Sequence, residues 1–98
     1  MSKADYQVAR QKVGSIYPKG CSQFVCEVLG VAYKQTSGWT QGEAVDKSDL
    51  AAGDVVGWKE QPGHVAIFDG SQFIYVPGCN QAVKISSTLG RQLYRMKY

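Results

Sequence analysis

The chain has 98 residues, a net charge of +3 and 44% apolar residues. This fits a single small domain over residues 1–98, with enough apolar side chains for one core. Its Lys and Arg residues are scattered rather than clustered, which speaks against a nucleic-acid binder, and no stretch has the apolar length of a membrane span.

Ala4 to Val13 reads as a first helix. Tyr6, Val8, Ala9 and Val13 supply its apolar face, Asp5 suits its first turn and Gly14 closes it. Met1 to Arg10 is polar and lacks the apolar segment of a signal peptide. The expectation is a chain that is cytosolic, exported by another route, or part of something larger. Residues 15–20 form a loop in which Pro18 biases Tyr17 towards an extended conformation. A second helix starts at Cys21, where Gly20 permits a sharp entry, and ends near Gly30 or Tyr33, with Gly30 placed to close it. Phe24, Val25, Val28 and Leu29 form its apolar stripe. Cys21 then lies in the first turn, where unpaired N–H groups and the helix dipole favour an anion and lower a thiol pKa. Cys26 points roughly 140° away around the helix, at about 100° per residue. Residues 34–47 are the least regular, with a short helix read from Gly42 to Val45 and Trp39 either capping the core or bordering a cleft.

From Leu50 the pattern changes to strands. Leu50 to Asp54 is a turn whose aspartate bonds local N–H groups. Five strands follow: Val55–Trp58, Val65–Phe68, Phe73–Val76, Ala82–Ile85 and Gln92–Met96. Asp69-Gly70 reads as a two-residue hairpin loop, which sets His64 opposite Tyr75 on one face of the sheet. The fold class is α+β, with N-terminal helices packed on a five-stranded antiparallel sheet.

The three cysteines are odd in number, form no CxxC pair, and share the chain with one histidine. That set cannot complete a Cys/His zinc site, so no metal and no cofactor is expected and at least one thiol is free. A thiolate nucleophile needs a base, and His64 is the only imidazole. Cys21 and His64 are therefore the candidate catalytic pair, while Cys26 and Cys79 read as small apolar residues.

Four ordered blocks resemble the NlpC-type cell-wall cysteine peptidases. Gly20-Cys21-Ser22-Gln23-Phe24-Val25 is similar to their Asp-Cys-Ser-Gly-Phe-Val signature. Leu50 to Val56 resembles their Leu-x-Pro-Gly-Asp-Leu-Val segment, Gly63 to Phe68 their Gly-His-Val-Gly-Ile-Tyr block, and Phe73-Ile74-Tyr75 their Phe-Ile-His. The Gly-His-Val-Ala block is also similar to the CHAP amidases. The resemblance implies a papain-like fold and cleavage of amide bonds in peptidoglycan stem peptides. By position it makes Cys21 the nucleophile and His64 the general base, and places Tyr17 and Ser22 along the substrate site. The backbone N–H of Cys21 becomes the oxyanion donor. Where the family orients its base with His, Asn or Gln, this chain has Tyr75. Asn80, a backbone carbonyl or a water is the alternative. Two further departures stand beside the nucleophile: Gly20 replaces an acid and Gln23 a glycine.

The expected activity is thus a cysteine hydrolase acting at the bacterial cell wall or periplasm after export or delivery. Lack of a signal peptide and of wall-binding repeats favours a delivered antibacterial toxin over a housekeeping enzyme. A toxin implies a cognate immunity protein that plugs the cleft over Cys21. Two alternatives share the fold: an acyltransferase, deamidase or protease with a non-wall substrate, and a catalytically inactive binding module.

Overall fold

The computed structural model describes residues 3–98. Its first helix, α1, is Tyr6–Gln11, shorter than the expected span because Asp5 acts as the N-cap, its carboxylate accepting from the N–H groups of Gln7 and Val8. The two-residue strand β1 (Ile16–Tyr17) leads into α2 (Cys21–Leu29). Gly20 takes φ of 82° at the N-terminus of α2, and Gly30 closes the helix in the left-handed region. Both are conformations that glycine adopts without strain.

After a 3₁₀ turn at Thr36–Gly38 comes β2 (Thr40–Val45), followed by a second 3₁₀ turn at Lys47–Asp49. The remaining strands are β3 (Val55–Trp58), β4 (His64–Phe68), β5 (Phe73–Tyr75), β6 (Gln81–Ala82), β7 (Lys84–Ser86) and β8 (Leu93–Lys97). The main sheet has six strands in the order β2-β8-β3-β4-β5-β7, every pairing antiparallel, and β1 pairs with β6 in a separate ribbon. The protein is α+β.

Two expectations are corrected. Gly42 to Val45 is strand, not helix: β2 lines up along β8 as an edge strand, with a register shift between Gln41 and Ala44. The main sheet has six strands rather than five because β2 joins its edge, and the stretch expected as one strand at Ala82–Ile85 divides at buried Val83. Before it, β6 joins β1; after it, β7 joins β5.

The sheet separates two apolar clusters. Val55, Val65, Ile67, Ile74 and Val76 face the helices and meet Ala9, Phe24 and Val25. Val56, Trp58, Ala66, Phe68 and Phe73 form the opposite cluster with Val45 and Leu93. This is the period-2 alternation of strands buried on both faces. Asp69 ties the layers together. Its carboxylate accepts from the N–H groups of Ser71 and Gln72 inside the hairpin and pairs with Arg10 of α1 at 3.0 Å. Asp54 behaves as the turn residue expected, accepting from Ala51 N–H at 2.8 Å and pairing with Lys3 and Arg95. No helix among the described residues is long and apolar enough to cross a membrane.

Candidate active site

The β4–β5 hairpin differs from the expected one by two residues. Phe68 pairs with Phe73 and Ile67 with Ile74, so the loop is residues 69–72 rather than Asp69-Gly70 alone. That register sets Tyr75 opposite Ala66 instead of His64. A slip of two residues leaves the face of each side chain unchanged, whereas a slip of one would reverse it. Tyr75 therefore still reaches His64, diagonally, with ring centroids 5.6 Å apart and the planes nearly perpendicular. On the other side, Trp58 pairs with His64 across β3 and β4, and their rings lie 5.1 Å apart.

The imidazole thus sits between two aromatic rings, in a cleft of about 300 Å³ lined also by Pro62, Gly63, Pro77 and Leu89. Burial alone pushes the His64 pKa down to about 4. Among the described residues no hydrogen bond joins His64 to the Tyr75 hydroxyl, to Asn80 or to Cys21.

Cys21 stands at the start of α2, in a cleft of about 220 Å³ lined by Lys19, Ser22, Tyr33, Gln35, Thr36, Gln61, Pro62 and Gly63. Burial pushes its thiol pKa up. Hydrogen bonds with the Val65 backbone, the Thr36 side chain and the backbone at Ser22 and Cys21 pull the other way without overcoming it. The net direction corrects the expectation of a lowered pKa. The donors of the helix start are present, but desolvation of the sulfur outweighs them.

The two clefts have Pro62 and Gly63 in common. Cys21 meets the backbone of the residue that follows His64, yet the His64 ring belongs to the sheet face away from the helices. Both members of the pair are at one end of β4, on either side of its first residues, with no hydrogen bond between them among the described residues.

The other expected site residues are placed as follows. Tyr17 is 6% exposed, packs edge-on against Phe24 at 5.4 Å and donates to Glu27 at 2.5 Å, so it is a core residue and does not line the Cys21 cleft. Ser22 lines that cleft but is 3% exposed; its hydroxyl accepts from Trp39 Nε1 at 2.9 Å and donates to the Lys34 carbonyl. It fixes the Trp39 segment to α2. Asn80 takes φ of 61° in the turn before β6 and donates its N–H to the Tyr17 carbonyl at 3.0 Å, away from the imidazole. Left-handed backbone is a habit of Asn, which accounts for the residue type there.

Sequence reasoning missed Thr36, the Val65 backbone and Trp58 as neighbours of the reactive groups. Trp58 was recoverable, since a β3–β4 hairpin of the right register sets it opposite His64. Thr36 was not, because an irregular stretch carries no periodicity that aims a side chain. Among the described residues no group of three His, Cys, Asp or Glu could hold a metal ion. All three cysteines are free thiols: Cys21 partly buried, Cys26 buried, Cys79 exposed.

Comparison with protein-family models, with curated proteins and with solved structures finds no match to this chain.

Proposed function

We propose that this protein is a cysteine hydrolase of the papain-like NlpC type that cuts amide bonds in peptidoglycan stem peptides, with Cys21 as nucleophile and His64 as base. One observation carries the reading. The Cys21 sulfur faces the backbone of Val65, the residue next to the only imidazole of the chain, and the two clefts share Pro62 and Gly63. β4 begins at His64, so the ring lies at the strand end where the two clefts adjoin.

In the proposed reaction the imidazole turns off Trp58 and Tyr75 and takes the Cys21 proton as the thiolate attacks the amide carbon. The C–S bond forms, the C–N bond breaks, and the imidazolium protonates the leaving amine. Water then adds to the thioester with the imidazole as base, which releases a carboxylic acid and restores the thiol. The N–H groups of the α2 start stabilise the oxyanion in both halves. The expected setting is the cell wall or periplasm, reached by export or delivery. As a delivered toxin the protein is paired with an immunity protein that covers this cleft.

The test is mass spectrometry of peptidoglycan digested by the purified protein. The expected result is new free amine and acid at one stem-peptide bond, abolished by Cys21→Ala. His64→Gln should cost about 10²–10⁴-fold, the worth of a general base. Cys26→Ala and Cys79→Ala should keep most turnover. An inert wild-type protein, or a folded Cys21→Ala protein that still cuts, overturns the reading. A second reading, a binding module without turnover, is favoured by the separation of the two groups: the imidazole contacts rings, not the thiol. It predicts retention of the intact peptide with no cleavage in the same experiment.

A further inference from the structure

Lys19 is the one charged side chain lining the Cys21 cleft. Among the described residues it pairs with no carboxylate. Its ammonium instead stands 4.6 Å from the centroid of the Tyr33 ring, another wall of the same cleft. The position is held from below. Gln23, one turn into α2, accepts the Lys19 backbone N–H on its side-chain oxygen at 2.9 Å. That hydrogen bond fixes the loop carrying the charge to the helix carrying the thiol. The other polar walls, Gln35, Thr36 and Gln61, are neutral.

We infer that the Cys21 cleft selects an anionic ligand, an acyl compound with a free carboxylate beside the bond presented to the thiol, and that Lys19 on Tyr33 is the selecting group. A cation resting on an aromatic face keeps much of its charge available, because the ring attracts it without neutralising it. The carboxylate is held at the ammonium while neutral amide groups reach Gln35 and Gln61. An amidated version of the same ligand loses the charge-assisted contact. The inference rests on the hydrolase reading for the fate of the ligand, but not for its binding.

The experiment uses two thiol reagents of nearly the same size, iodoacetate and iodoacetamide, on the full chain in a Cys79→Ser background at pH 9, with the site of alkylation confirmed by peptide mapping. The ratio of the two rates at Cys21 cancels the thiolate fraction and reports whether a carboxylate is favoured at the sulfur. A unit charge several ångström away in a partly aqueous cleft is worth about 1 kcal/mol. The ratio should therefore fall about threefold to fivefold in Lys19→Gln, fall further in Lys19→Glu, and persist in Lys19→Arg. It should be unmoved by Lys47→Gln, a remote charge. Added salt should shrink the wild-type ratio towards that of Lys19→Gln. A ratio that is the same in wild type and Lys19→Gln overturns the inference, as does a Cys21 that neither reagent reaches. A charge-dependent ratio in a protein that cuts no peptidoglycan overturns only the hydrolase reading.

Discussion

Around Cys21 the protein places hydrogen-bonding groups; around His64 it places rings. The thiol is approached by the Val65 and Ser22 backbone and by Thr36, with Lys19 at the cleft wall. The imidazole is enclosed by Trp58 and Tyr75 and has no polar partner among the described residues. Burial nevertheless acts on both in the same sense. It disfavours the charged form, which raises the pKa of an acid and lowers that of a base, so each group rests neutral. The difference lies in what can undo this. Donors are already aimed at the sulfur, so its anion has stabilisation waiting, whereas the imidazolium has none until the ring leaves the aromatic pair. A thiolate–imidazolium pair is therefore not the resting state, and forming it requires the ring to move.

The joint between the clefts is the place to break the comparison most severely. Gly57 pairs with Val65 across β3 and β4, and a Cβ added there would lie 1.9 Å from the His64 carbonyl oxygen. No rotamer change relieves a clash with backbone. Gly57→Ala should push the His64 end of β4 away from β3 and cost about 3 kcal/mol or prevent folding, as overpacking does at its upper end. Urea denaturation measures it, and a loss under 1 kcal/mol would mean that the strands are not held this close.

Next in size is the pH dependence of stability. With a folded pKa of about 4 against an ordinary 6.5, the unfolded chain takes up the His64 proton first as pH falls. Stability should be full above pH 6.5 and decline as the pH drops towards 4, by about 3 kcal/mol at 1.36 kcal/mol per pH unit. The raised Cys21 thiol has the opposite limb. The unfolded thiol ionises first as pH rises, so stability present below its ordinary pKa is lost above it. Urea midpoints measured across pH in His64→Gln should lack the acid limb down to where the carboxylates Asp54, Asp69 and Glu27 begin to protonate. An unchanged acid limb in that variant would show that the imidazole is not desolvated.

A smaller effect tests the donors at the sulfur. Thr36→Val keeps the shape of the side chain and removes its hydrogen bond to Cys21. A hydrogen bond to a charged group is worth about 1.5 kcal/mol, so the apparent thiol pKa from alkylation rates should rise further. Thr36→Ser should restore it, which a purely structural role for the threonine would not require.

Much of this architecture is legible in the chain because strong local signals coincide with tertiary need. Gly20 and Gly30 bracket α2 as their backbone freedom suggests, and Val55–Trp58 is a strand with its expected bounds. β2 was misread because it is an edge strand: only Val45 among its six residues is buried, so its composition shows no alternation to read. The division at Val83 depends on β1 competing for β6, a long-range pairing that no window of sequence reveals. At the site, the neighbours of His64 follow from strand parity and were readable. The separation of ring and thiol was not, because it depends on which side of the sheet α2 docks.

The smallest expected change concerns Tyr75, and it decides what that residue is for. The resemblance to the NlpC-type peptidases implies that its position orients the base through a polar atom. Here the Tyr75 hydroxyl has no hydrogen-bond partner among the described residues, and the contact with His64 is ring edge against ring face at 5.6 Å. If the ring alone matters, Tyr75→Phe should leave stability within about 0.5 kcal/mol, the range of a substitution that removes no made interaction. It should also leave the His64 titration, followed by NMR of the imidazole protons, where it was. Tyr75→Ala removes the cover instead, admits water to the imidazole and moves its pKa up from about 4 towards the ordinary 6.5. A shift in Phe as large as that in Ala would assign the effect to the hydroxyl and restore Tyr75 as an orienting residue.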